Sequence, residues 1–145
     1  MSTDGAPYRQ AYEGWLSGLM QWDDLDAVLA RVAASPEGWW VYDTRADPPE
    51  APQSGASLPE RLAEIVAFLR RHHRADYCGF VYADDRAAPR MIKVYDPRNA
   101  SSCSLGAPIP VYTLSRTRPE RLPFEAAQSP VASAGLLGRW IKGAP

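Results

Sequence analysis

Residues 57–96 hold one amphipathic helix followed by two short apolar strands with a tight turn between them, an order that excludes both an all-helical and an all-strand fold. Ser57, Pro59 and Glu60 fit a helix start: a serine that can cap free N–H groups, a proline tolerated in the first turn, and a glutamate placed to complete a capping box. Leu58, Leu62, Ile65, Val66 and Leu69 then recur at helical spacing, which predicts a central helix over about 58–73. It runs out in Arg70, Arg71, His72, His73 and Arg74, where positive charge meets the negative end of the helix dipole. Residues 77–83 are short, aromatic and β-branched, hence a strand, and they are apolar on both alternating faces, which calls for cover on both sides of the sheet. Residues 84–89 are turn material, and 90–96 return as the antiparallel partner.

The flanks extend this unit. Tyr8, Tyr12, Trp15, Leu16 and Leu19 share one helical face and predict a first helix over about 7–20, although Gly14 and Gly18 each weaken it by roughly 1 kcal/mol relative to alanine. A second helix is expected over about 24–34, capped by Asp23, with Leu25, Val28, Leu29 and Val32 buried and a stop at 35–38. Strands follow at 39–43 and 111–116, separated from the centre by a proline-rich loop at 45–56 and a polar loop at 96–106. The expected architecture is therefore α+β: a four-stranded, mainly antiparallel sheet with the central helix on one face and the N-terminal helix pair packed nearby. We read 1–116 as one domain and 117–145 as a Pro/Ala-rich extension bearing a short apolar docking segment at 136–141.

A chain of 145 residues is long enough to bury a core without metal or disulfide support. Its start lacks the basic and apolar segments of a secretory signal, and no apolar run approaches the ~20 residues that cross a bilayer, so the expected address is cytoplasmic with no membrane partner. There Cys78 and Cys103 are expected as free thiols. Charge is uneven: residues 1–60 carry ten acidic and three basic side chains, residues 61–145 seven acidic and thirteen basic. The simplest consequence is an acidic N-terminal part packed on a basic remainder. The excess is too small and too scattered for nucleic acid.

Two sets of residues invite chemistry. In the 96–106 loop, Arg98 stands with Ser101, Ser102 and Ser104, while Arg90 and Lys93 lie on the strand leading to it. Hydroxyls, backbone N–H groups and a cation are what phosphate or carboxylate binding requires. Cys103 lies in the same loop and is the candidate nucleophile or redox thiol, with His72 as a base and Asp96 as the group that would orient it. A polar turn with a bystander thiol explains the same residues. Asp43 and Asp96 each follow a tyrosine at a strand end, and would share a cleft only if those ends lie side by side. Spacing argues against metal: His72 and His73 point about 100° apart on a helix, and neither cysteine has a C-x-x-C partner. No cofactor motif is present, and Cys78 reads as core.

Five tryptophans and seven tyrosines are more than this length needs for its core. With Leu136, Leu137, Trp140 and Ile141 forming an apolar, basic-flanked cluster, they point to a non-enzymatic, bacterial-type accessory or adaptor protein that works by protein–protein contact, a homodimer among the forms it can take. The alternative is a small-anion-binding or catalytic domain built on the 96–106 loop.

Overall fold

The computed structural model describes residues 6–100 and 109–122. Three helices, α1 (Ala6–Glu13), α2 (Trp22–Ala34) and α3 (Leu58–His72), and a single-turn α4 (Pro97–Ala100) surround one sheet. The sheet is open and wholly antiparallel. Its strands β1 (Ser17–Gly18), β2 (Trp40–Asp43), β3 (Val81–Ala83), β4 (Met91–Val94) and β5 (Tyr112–Ser115) lie in the order β1-β3-β4-β5-β2.

The α+β class and the antiparallel sheet match the sequence, but there are five strands rather than four. The added strand, β1, comes out of the stretch predicted as the end of the first helix. Helix α1 stops at Glu13, just before Gly14, and the chain turns to pair Ser17 with Ala83 and Gly18 with Tyr82. The reason is that two glycines within five residues remove the local support a helix needs, while β3 offers an unpaired edge. The expected strand at 77–83 is correspondingly shorter. Tyr77 makes an isolated bridge to Gln21, and Gly79 breaks the strand with a φ of +79°. Helix α2 begins earlier than expected, with Gln21 rather than Asp23 at its N-cap; the Asp24 carboxylate accepts the Gln21 N–H at 3.1 Å. Ser57 does precede α3, but its side chain bonds to Ser54 and Gln53 instead of capping the helix.

Strand alternation divides the core in two. Val41, Val81, Ala83, Ile92, Val94, Tyr112 and Leu114 face α2 and α3, which bury Leu25, Val28, Leu29 and Val32, and Leu58, Leu62, Ile65, Phe68 and Leu69 against them. On the other face Tyr42 and Met91 meet Tyr8 and Tyr12 of α1, with Leu122 closing the cluster. The N-terminal helices are thus not a packed pair: they cover opposite faces. This explains why the strands read as apolar on both sides.

Candidate anion-binding site at the sheet end

β2 and β4 both run antiparallel to β5, so they point the same way and finish at the same end of the sheet. Asp43 and Val94 face Tyr112 from its two sides. Two residues beyond Val94 the chain reaches Asp96, on the α3 side of the sheet like Asp43. The two Tyr-Asp strand ends singled out in the sequence therefore flank one residue.

Each aspartate is followed two positions later by an arginine, and the two make the same local structure. Asp43 Oδ1 accepts from the backbone N–H and Nε of Arg45, and its Oδ2 accepts from Nη2, all at 2.9 Å. Asp96 repeats this with Arg98: backbone N–H at 2.9 Å, Nε at 3.1 Å and Nη2 at 2.8 Å. The repeated Tyr-Asp-x-Arg at 42–45 and 95–98 is the signal in the sequence that marks both. Burial pushes both carboxyls upward, but the side-chain hydrogen bond, backbone hydrogen bond and charge of the adjacent arginine outweigh it. Both end below the usual carboxylate range. Arg61 adds to this at Asp43, and His72 at Asp96. Two acids sharing a proton would behave otherwise, one of them rising. These two are orienting groups for arginines.

Between the arginines lies a concavity of about 470 Å³, lined by Arg45, Glu64, Phe68, Arg71, His72, Arg98 and Tyr112. The Arg45 guanidinium lies over Tyr112 and Phe68, 5.5 and 5.8 Å from the ring centroids, and reaches the Tyr112 hydroxyl at 3.4 Å. Arg45 and Arg98 are close enough for their charges to oppose one another. Glu64 is engaged by Arg61 at 2.6 Å, whereas Arg71 has no carboxylate partner among the described residues. The last turn of α3 supplies Arg71 and His72, and His72 is fixed edge-on to Phe68 with ring centroids 5.0 Å apart. Chemically, the site offers guanidinium N–H groups held in place by aspartates, one uncompensated arginine and an aromatic floor, a combination suited to a carboxylate or phosphate.

The other candidates disperse. Arg90 lies at the start of β4, the opposite pole of the sheet. Lys93 projects from the α1 face with its ammonium 3.8 Å from the centre of the Tyr12 ring. Neither joins Arg98. His72 and Asp96 do reach one neighbourhood, but both Asp96 oxygens are occupied by Arg98. Ser101, Ser102, Cys103 and Ser104, and the segment with Leu136, Leu137, Trp140 and Ile141, lie outside the described residues. Cys78 is fully buried, and burial raises its thiol pKa, as expected of a core residue. Among the described residues no group of His, Cys, Asp and Glu side chains is arranged to hold a metal. No helix among them is long and apolar enough to cross a membrane.

No family model, curated protein or solved structure matches the chain. Arg45 is marked in the sequence only by the Tyr-Asp-x-Arg repeat, and Arg71 and Tyr112 by no motif at all, because what joins them is the parallel alignment of β2 and β4 across β5.

Proposed function

We propose that the chain is a non-enzymatic accessory protein that holds a partner protein through an anionic group, a carboxylate or phosphate, seated at the sheet end between Arg45, Arg71 and Arg98. The observation that carries this reading is the duplicated Asp-x-Arg geometry on either side of Tyr112. An aspartate that grips Nε and one Nη fixes the guanidinium plane and leaves the other Nη free to donate. Pre-orientation of this kind reduces the entropy lost on binding. Arg71, which has no carboxylate partner among the described residues, supplies the charge that the two paired arginines have already spent on their aspartates. The test is titration of the full chain with inorganic phosphate at low ionic strength, followed by NMR or calorimetry. Arg98→Ala and Arg71→Ala should each weaken phosphate binding about tenfold, the effect of one charge-assisted hydrogen bond. Saturable binding that neither substitution alters would sink the proposal.

The second reading, docking through the 136–141 segment, draws support from the aromatic surplus that the core leaves over. Trp15, Tyr77 and Tyr82 are exposed. Strand addition at the β1 edge fits less well, because β1 is two residues long and the Arg86 guanidinium caps the Gly18 carbonyl at 3.0 Å. Truncation before Ser133 should reduce self-association or partner capture in sedimentation and pull-down experiments; identical behaviour would count against the segment.

A further inference from the structure

Helix α1 is too short to cover its face of the sheet. It seats Tyr8 over Thr113 and Tyr12 over Lys93, then ends at Glu13, and the chain leaves for β1. Beyond the helix end lies a cleft of about 540 Å³ between Leu16, Phe80, Tyr82 and Tyr95, with Lys93 in its wall. Tyr82 and Tyr95 meet edge to face, ring centroids 5.6 Å apart, and form one aromatic side. Gly14 and Gly79 line the opening without side chains of their own.

Lys93 is the unexpected member. It is half-buried, placed on β4 between Tyr82 of β3 and Thr113 of β5, both uncharged. Burial depresses its pKa, and Glu13 only partly offsets this. No carboxylate closes on its ammonium among the described residues, since Glu13 is itself tied to Arg9 at 2.9 Å. The Tyr12 ring provides a cation–π contact, which stabilises a positive charge but does not neutralise it. A half-buried cation facing an aromatic cleft is completed by an anion that brings its own apolar surface. A volume of this size is typical of small-molecule sites.

We infer that this cleft is a second binding site, distinct from the sheet-end site, for a small carboxylate with a flat aromatic body, its carboxylate paired to Lys93 and its ring held against Tyr82 and Tyr95. It stands or falls independently of the arginine site. The probes are phenylacetate and benzylamine, matched in ring and opposite in charge, each titrated into the full-length protein while amide chemical shifts are recorded. Phenylacetate should saturably shift Gly79, Tyr82 and Lys93, and benzylamine should not. Lys93→Met should weaken phenylacetate about tenfold, as loss of one ion pair would, and Lys93→Arg should restore most of it. Equal binding of benzylamine, unchanged affinity in Lys93→Met, or phenylacetate shifts confined to the surroundings of Arg45 and Arg98 would each overturn the assignment.

Discussion

Arg98 grips Asp96 through two side-chain hydrogen bonds, Nε to Oδ1 at 3.1 Å and Nη2 to Oδ2 at 2.8 Å, and Arg45 holds Asp43 in the same way across Tyr112. The benefit is positional more than energetic. Solvent-facing ion pairs contribute little to stability, yet the pairing sets both guanidinium planes before any ligand arrives. It also leaves a pH signature. A carboxyl whose pKa is lowered on folding adds stability that is complete above its unfolded value, near ~3.9, and is lost as pH falls through the folded value.

Both Asp43 and Asp96 are shifted downward, so their contribution should vanish in the acid limb below about pH 4. An Asp43→Asn/Asp96→Asn double variant has nothing to lose there. Urea unfolding across acid pH should show wild-type stability falling more steeply than that of the variant, with the two curves converging at the acid end. Parallel curves would mean that the two pairs do not form in solution.

On the opposite face, Tyr8 and Thr113 share a buried hydrogen bond of 3.0 Å that fastens α1 to the interior strand β5. Tyr8→Phe keeps the ring and takes away this partner of the Thr113 hydroxyl, which is fully buried. The expected cost is about 1–2 kcal/mol in denaturant unfolding, the usual penalty for stranding a buried polar group. A neutral result would imply that α1 is only loosely seated.

The helix–strand–turn–strand centre could be read from the sequence because each element there obeys one period. Leu58, Leu62, Ile65 and Leu69 repeat at helical spacing and are all buried, and Met91, Ile92 and Val94 form the returning strand. Phe68 was missed in the stripe because Val66 took its place, although Val66 is only partly buried. The N-terminal third was harder because its periodicity is ambiguous. The apolar spacing of Tyr8, Tyr12, Trp15 and Leu19 mimics a helix, and only the glycines signal the change to strand β1. The arginine site was half-visible. Asp43, Asp96, His72 and Arg98 could be named, but their convergence depends on β2 and β4 both pairing with β5, a long-range alignment that no local pattern encodes.

Gly79 sits at φ +79°, in the left-handed region, where the chain passes from the Tyr77 bridge into β3. A methyl group there would meet the Tyr77 ring at an ordinary 3.5 Å, so the obstacle is the backbone and not crowding. Gly79→Ala should therefore cost about 1–2 kcal/mol, seen as a lower urea midpoint with an unchanged slope. Full stability in that variant would place the chain in another conformation at this turn.

Trp15 and Leu19 separate a continuous helix from the helix-to-strand switch. On a helix running through residue 20 both would share the buried face with Tyr8 and Tyr12. Because α1 ends at Glu13, Trp15 is 79% exposed, while Leu19 is carried by the chain leaving β1 into the core beneath α2 and α3, fully buried. Trp15→Ala should change stability by no more than about 0.5 kcal/mol despite deleting the largest side chain in the protein's repertoire. Leu19→Ala should cost about 2–5 kcal/mol, the range for emptying a buried leucine site. Comparable losses at both positions would restore the long helix and remove β1. The cleft beside Lys93 would go with it, since that opening exists only because the helix stops short.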